Sequence, residues 1–287
     1  MKLASFEHGG VARVGIVLGD GLIDLARAAP GLPADMILLM KEWRRARPLL
    51  SQIAANNEPD FKHADVHVLA PVPRPQKILA IGLNYADHIA ETGREKPERQ
   101  VWFNKLPNAV NGPFDPIEIP RVSQAVDYEA ELVFVIGRTC RHVPKEKAHE
   151  VIFGYCAGND VSVRDWQFHT PQWLLGKSFD THAPFGPWIV TPDEVGDPHA
   201  LGIRCILNGE TMQSSNTRNL VFNVFDQVAL LSQAMTLEPG DVIFTGTPAG
   251  VGVARKPPVF LKPGDVVRVE IDKIGAIEAP VIAEGAA

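Results

Sequence analysis

Apolar residues along this chain fall mostly in short, β-branched runs punctuated by Gly, Pro and Asp, with few stretches of helical spacing. The N-terminal part predicts strands at Lys2 to Phe6, Val14 to Leu18 and Leu22 to Asp24, joined by Gly-rich turns, then a helical stretch around Met36 to Ala54. Ala70-Pro71-Val72-Pro73-Arg74-Pro75 holds too many prolines to continue a helix or a central strand, so it reads as a linker. The chain thus divides into a small α+β unit over 1–70, a linker over 71–76 and a larger unit over 77–287.

In the larger unit, Leu132 to Ile136, Ile203 to Leu207, Val242 to Phe244 and Val266 to Ile271 have the pattern of buried or half-buried strands. Helices are fewer. One is expected over Tyr85 to Thr92, opened by Asn84 as cap and stopped by Gly93, and another over Asn223 to Met235 before Pro239-Gly240. The fold class is α+β and β-rich. Between Gly93 and Pro120 there are five prolines and little periodicity. That is long for a structureless connection, so the segment is expected to be a functional loop or lid, or else plain disorder.

Composition narrows the class without setting the function. The 45% hydrophobic and 22% charged residues are ordinary for a globular protein. A net charge of -6 built from interspersed residues of both signs gives no basic face for a phosphate backbone, so no nucleic-acid partner is expected. Cys140, Cys156 and Cys205 are an odd set without a C-x-x-C pair, consistent with reduced thiols. No long apolar segment suggests a leader or a membrane span, and a cytoplasmic location without membrane partners is the expectation.

Candidate chemistry begins at Asp127-Tyr128-Glu129-Ala130-Glu131. Strand alternation would place its three carboxylates on one face, just ahead of an apolar run that enters the core. Such neighbours repel one another unless a cation joins them, and hard oxygen donors suit Mg²⁺, Mn²⁺ or Ca²⁺. A solvated acidic edge is the plainer alternative. Asp160, after Gly158-Asn159, would add a further oxygen ligand, or would cap a turn. Arg164, Gln167 and Lys177 supply two cations and an amide suited to a small carboxylate, although either cation would serve equally on a surface acid. The Gly176-Lys177-Ser178 triplet does not make a nucleotide loop, because the required first glycine falls on Pro171. His88 and Glu91, three apart on a helix, share a face and form a plausible general-base pair, or an ordinary surface pair. Thr245-Gly246-Thr247-Pro248-Ala249-Gly250-Val251-Gly252 would offer backbone N–H groups and a hydroxyl to an anion, or would be only a tight turn.

Five segments in this order resemble the fumarylacetoacetate hydrolase family, especially its two-domain bacterial members and the domain-containing protein 2 group. They are Gly82-Leu83-Asn84-Tyr85-Ala86-Asp87-His88, Asp127 to Leu132, Asn159 to Asp165, Gly176 to Asp180 and Thr245 to Gly252. The resemblance spans roughly residues 77–281. It implies a β-roll catalytic domain behind a small N-terminal α+β domain, usually dimeric, with Mg²⁺ or Mn²⁺ on Glu129, Glu131 and Asp160. It also implies a His88/Glu91 acid–base pair under a mobile loop, Lys177 as the active-site lysine, and Arg164, Gln167 and Thr247 against the keto-acid end of the substrate. The chain departs from the family pattern at Asn108, where serine is common.

These features lead to an expected hydrolytic cleavage of a C–C bond in a 2,4-dioxo acid of the acylpyruvate type, through a metal-stabilised enolate and a water activated by His88. Oxaloacetate decarboxylation or dienoate isomerisation on the same metal site is the alternative. A catalytically silent protein that binds a keto acid or a metal is the third reading.

Overall fold

The computed structural model describes residues 1–93 and 95–286. The chain opens with strands β1 (Lys2–His8), β2 (Val11–Leu18) and β3 (Gly21–Asp24). Helices α1 (Leu25–Ala28), α2 (Met36–Lys41) and α3 (Trp43–Asn56) follow, then β4 (Phe61–Lys62) and β5 (His67–Leu69). The single helical stretch expected over 36–54 is therefore two helices, meeting at Glu42.

After the proline-rich run come β6 (Ile78–Gly82), α4 (Ala86–Thr92), β7 (Val101–Lys105), β8 (Val110–Asn111), β9 (Ile117–Ile119), β10 (Val126–Asp127) and β11 (Ala130–Ile136). Next are β12 (Ile152–Asn159), β13 (Ser162–Val163), α5 (Arg164–Gln167), α6 (Leu174–Lys177), β14 (Ala183–Val190) and α7 (Pro192–Val195). The chain closes with β15 (Gly202–Leu207), β16 (Glu210–Asn216), α8 (Val224–Ala234), β17 (Val242–Phe244), β18 (Val266–Ile271) and β19 (Gly275–Ala283).

One large mixed sheet runs β4-β3-β2-β1-β14-β12-β11-β17-β6-β7, and a five-stranded sheet runs β16-β15-β18-β19-β9. The architecture is α+β and β-rich. Strand β11 explains the layering. Every residue of it is buried, with Leu132, Phe134 and Ile136 in the core shared with the five-stranded sheet. Val133 and Val135 point the other way, into a second core that holds Leu39 and Met40 of α2 and Leu50 and Ile53 of α3. A strand buried on both faces needs an uninterrupted apolar run, and the sequence supplies one there.

That second core also contains Leu3, Val14 and Ile16, and β1 pairs antiparallel with β14 through Leu3↔Ile189. The first seventy residues thus extend the sheet and cover one face of the strand that leads out of the carboxylate cluster.

Two local expectations need correction. Asn84 does not cap α4, whose cap position is Tyr85 with no side-chain bond. The Asn84 amide instead donates to the carbonyls of Phe222 (3.0 Å) and Thr245 (2.7 Å) and accepts from the N–H of Phe222. Gly93 does end the helix, in the left-handed conformation at φ 64°. Likewise, plain disorder over 93–120 is ruled out for the described residues, because three strands form within the segment. Its non-local partners explain why periodicity missed them: β7 pairs with β6, β8 with β14 and β9 with β19. Among the described residues no helix is long and apolar enough to cross a membrane.

Segment 117–119 is pinned by two further bonds: the N–H of Glu118 donates to Thr181 Oγ1 (2.9 Å), and His182 Nε2 lies 2.8 Å from the Glu118 carbonyl. His182 is fully buried, and burial pushes its pKa down to about 3. The native state then binds fewer protons than the unfolded chain between about pH 6.5 and pH 3, so this group removes stability as pH falls through that window. Lowering the pH from 7 to 5 should cost the wild type about 2 kcal/mol more than His182→Gln, measured by urea denaturation. Equal losses in both chains would show that the imidazole is protonated in the folded state.

Candidate active site

The acidic segment is not one continuous strand. Pairing stops after Asp127 and resumes at Ala130, and within the break the N–H of Glu129 donates to Asn159 Oδ1 (2.9 Å). The N–H of Asp160 in turn donates to the Glu129 carbonyl (2.9 Å). These bonds bring Glu129, Glu131 and Asp160 together, all buried, with one carboxylate oxygen from each lying within 4.8 Å of the others. Asp160 caps no helix. The expectation that Asp127 shares this face is corrected by the break: its carboxylate accepts from Arg164 Nε (2.8 Å) and from the N–H groups of Gly252 (2.7 Å) and Val253 (2.9 Å).

Cations from three distant segments meet the carboxylates. Lys177 Nζ lies 2.8 Å from Glu129 Oε2 and 2.7 Å from Asp160 Oδ2. The Arg164 guanidinium bridges Asp127 (2.8 Å) and Glu129 (2.7 Å) and donates to Gln167 Oε1 (3.0 Å). Lys105, at the end of β7, donates to Asp160 Oδ1 (2.6 Å) and to the Val161 carbonyl (3.1 Å). Lys105 was not anticipated. Its one signal in the sequence is a lysine that alternates with Phe103 on a strand, which does not distinguish a buried cation from a surface one.

Lys177 and Arg164 reach the same carboxylate because α6 lies hard against α5. A Cβ on Gly176 would come within 2.3 Å of the Gln167 backbone nitrogen, so only glycine permits that approach. Asn108 steadies the next residues, donating to the Ser178 carbonyl (2.9 Å) and to Asp180 Oδ1 (2.7 Å).

The glycine-rich loop after β17 turns its N–H groups toward the protein's own acids. Gly246 donates to Glu131 Oε2 (2.7 Å), Gly250 to Glu91 Oε1 (2.9 Å), and Gly252 and Val253 to Asp127. Thr247 Oγ1 donates to the Ala130 carbonyl (3.0 Å) and accepts from Gln213 Nε2 (2.8 Å), so a further residue, Gln213, braces this wall. On α4, His88 Nδ1 lies 3.1 Å from Glu91 Oε2. His88, Thr247, Glu129, Glu131, Arg164, Gln167 and Lys177 all line one cavity of about 80 Å³. A larger groove of about 900 Å³ runs beside α2 and α3 past Phe153, but its charged residues, such as Arg44, Arg47 and Arg138, are exposed. The groups capable of chemistry converge on the smaller cavity.

Electrostatics separate the three carboxylates. Burial alone would raise Glu129, but Lys177 and Arg164 outweigh it and hold the group well below the usual carboxylate range. Glu131 is pushed far upward, by burial first and then by Asp160 and Glu129. Lys105 is pulled down by burial, which exceeds the help of Asp160, whereas Lys177 rises because Asp160 and Glu129 overcome the same penalty.

Glu131 is thus an acid that accepts one N–H and makes no ion pair among the described residues. A hard divalent cation fits this donor set: three buried carboxylate oxygens converge, and each oxygen has a second lone pair free of its lysine or N–H contact. With Asp127 and Lys105 included, four carboxylates face three cations. Counted with every carboxylate ionised, as a bound divalent ion would hold them, the cluster carries one net positive charge, which favours an anionic ligand.

A buried carboxylate triad opposite a histidine–glutamate pair on this β-rich scaffold defines a metal-dependent enzyme. Residues 77–282 match the fumarylacetoacetate hydrolase C-terminal family model. The chain is 46% identical to the mitochondrial oxaloacetate tautomerase of Xenopus laevis, over 98% of this chain and 90% of that protein. Maleylpyruvate hydrolase from Sphingobium sp. SYK-6, solved in complex with manganese(II) and pyruvate, superposes with a TM-score of 0.83 at 35% identity, covering 99% of each chain. The 5-carboxymethyl-2-hydroxymuconate delta-isomerase of Mycobacterium smegmatis does so with a TM-score of 0.78 at 35% identity, covering 99% of this chain and 100% of that one. The chain belongs to the fumarylacetoacetate hydrolase family.

Glu131→Gln removes the one triad member without a counter-ion. Calorimetric titration with Mn²⁺ should show affinity weakened by about 100-fold or more, since losing even a supporting partner of a ligand typically costs ~10–100-fold. Unchanged affinity would place the ion elsewhere.

Proposed function

We propose that this enzyme moves a proton at the carbon beside the keto group of a small 2-oxo acid, interconverting the keto and enol forms of a four-carbon diacid of the oxaloacetate class. The observation that carries this reading is the chamber itself: about 80 Å³, with the carboxylate–cation cluster and His88 on its walls. Its cation cluster can hold a short 2-oxo acid, and its histidine–glutamate pair supplies the base that proton transfer needs. The near full-length likeness to the Xenopus oxaloacetate tautomerase supports the same substrate class.

A divalent cation held by Glu129, Glu131 and Asp160 would supply Lewis-acid stabilisation of the charge that develops on the oxygens of an enolising 2-oxo acid. The protein's own groups do the rest. Lys177 spends two N–H donors on Glu129 and Asp160 and keeps a third for the ligand, while Arg164 retains one N–H beside its bond to Gln167. Both serve an incoming carboxylate. Glu91, itself held by the Gly250 N–H, sits on His88 Nδ1, which assigns the proton to Nδ1 and leaves Nε2 as the base. His88 then takes the proton from carbon and delivers it to the former keto oxygen, and the reverse transfer regenerates the keto form, so no water and no second substrate are required.

Hydrolytic C–C cleavage of an acylpyruvate is the second reading. The observation in its favour is the same His88–Glu91 pair, whose geometry would equally activate a water toward a distal carbonyl. The likeness to maleylpyruvate hydrolase is compatible with it.

The test follows the enol absorbance of freshly dissolved oxaloacetate with Mg²⁺ or Mn²⁺, alongside pyruvate release from a panel of acylpyruvates. Keto–enol exchange should be accelerated, and His88→Asn should lower kcat by about 10²–10⁴-fold. Pyruvate release without any acceleration of exchange would establish the hydrolase instead. Carbon dioxide release that survives His88→Asn would point to decarboxylation.

A further inference from the structure

The polar half of the chamber is matched by an aromatic half that the chemistry above leaves unused. Trp173 opens the short turn that ends at Lys177, and its ring lies across the backbone of Gly82 at the end of β6. A Cβ on Gly82 would stand 2.5 Å from Trp173 Cζ3 and 2.9 Å from Cη2, so the indole rests directly on the main chain. The Phe103 ring also packs against it, with centroids 5.3 Å apart and the planes at 60°. Phe103 in turn holds the Lys177 ammonium 4.8 Å above its own ring centre. The position of the indole is therefore set by two neighbours, and through Phe103 it is coupled to the lysine that faces the carboxylates.

We propose that Trp173, backed by Gly82 and Phe103, is the specificity-determining wall of the chamber, closing the space beyond the 2-oxo acid end and restricting substrates to short carbon chains. The inference rests on the small 2-oxo acid reading and deepens it. A ligand anchored by its carboxylate on Lys177 and Arg164 must direct its other substituent to the remaining lining, and Trp173 is the largest side chain there. Each methylene added to the ligand has to displace a ring that Gly82 and Phe103 prevent from retreating. Loosely held side chains give way to such a group, whereas one packed on backbone does not. Gly82 is consequently part of the selectivity: a larger residue there would remove the shelf on which the indole lies.

The test is calorimetric and independent of turnover. Straight-chain 2-oxo monoacids from pyruvate to 2-oxohexanoate are titrated into the Mn²⁺-loaded protein, for the wild type, Trp173→Ala and Trp173→Phe. In the wild type, affinity should fall with chain length. Trp173→Ala should abolish that fall, improving 2-oxohexanoate relative to pyruvate by about 10-fold or more, the usual scale for one methylene in a fitted pocket. Trp173→Phe should lie between the two, and it carries the test if the alanine variant no longer binds Mn²⁺. A wild type that binds every chain length alike, or variants that keep the wild-type profile, would overturn the role of Trp173 while leaving the functional reading intact. A wild type that binds none of these monoacids would likewise overturn the role of Trp173, while keto–enol exchange of oxaloacetate tests the functional reading separately.

Discussion

Four carboxylates in one buried pocket repel one another, and the rest of the catalytic half is organised around making that arrangement tolerable. Asp127 and Glu129 share Arg164, Glu129 and Asp160 share Lys177, and Lys105 completes Asp160. Backbone N–H groups of the 246–253 loop take the remaining contacts of Asp127 and Glu131. A buried charge without such partners costs several kcal/mol, so the pocket exists only where all these segments are in place at once. Glu131 is the member left least compensated, and there the protein by itself falls short of neutrality.

The fold can be understood from this demand. The cations come from β7, α5 and α6, and the N–H donors from the loop after β17, elements far apart in the chain that sheet pairing brings together. Strand β11 runs from the carboxylates straight into two apolar cores, one against the five-stranded sheet and one against the N-terminal helices. Tight packing on both faces holds the acidic end still, which is what precise oxygen placement requires. Glycines where chain segments press together, Gly176 against α5 and Gly82 under Trp173, set how closely the cations and the aromatic wall approach. The same wall and the same cluster bound a small chamber, so packing decides selectivity as well as stability.

Much of this was legible from residue order alone. The apolar run at Leu132–Ile136, a helix near 223–235 (observed at Val224–Ala234) and the carboxylate trio were all readable, because a β-branched run, a helical stretch before Pro-Gly and neighbouring carboxylates express local chemistry. So was the His88–Glu91 pair, whose spacing of three on a helix is sufficient to bring the two side chains together. Harder to see were Lys105, the brace at Gln213, and the strands between Gly93 and Pro120, each of which is defined by a partner dozens of residues away.

By itself, then, the sequence determined which side chains are available for chemistry and that a β-rich scaffold carries them, since propensity, spacing and charge act over a few residues. Only the tertiary structure decided that Asp127 leaves the metal-ligand set for Arg164, that the glycine-rich loop serves the protein's own carboxylates rather than a bound anion, and that Asn84 ties the helix to that loop instead of capping it. In each case several partners were chemically acceptable. Long-range packing selected one, because burial penalises every polar group left unpaired and the pairing that satisfies them all is a property of the whole fold.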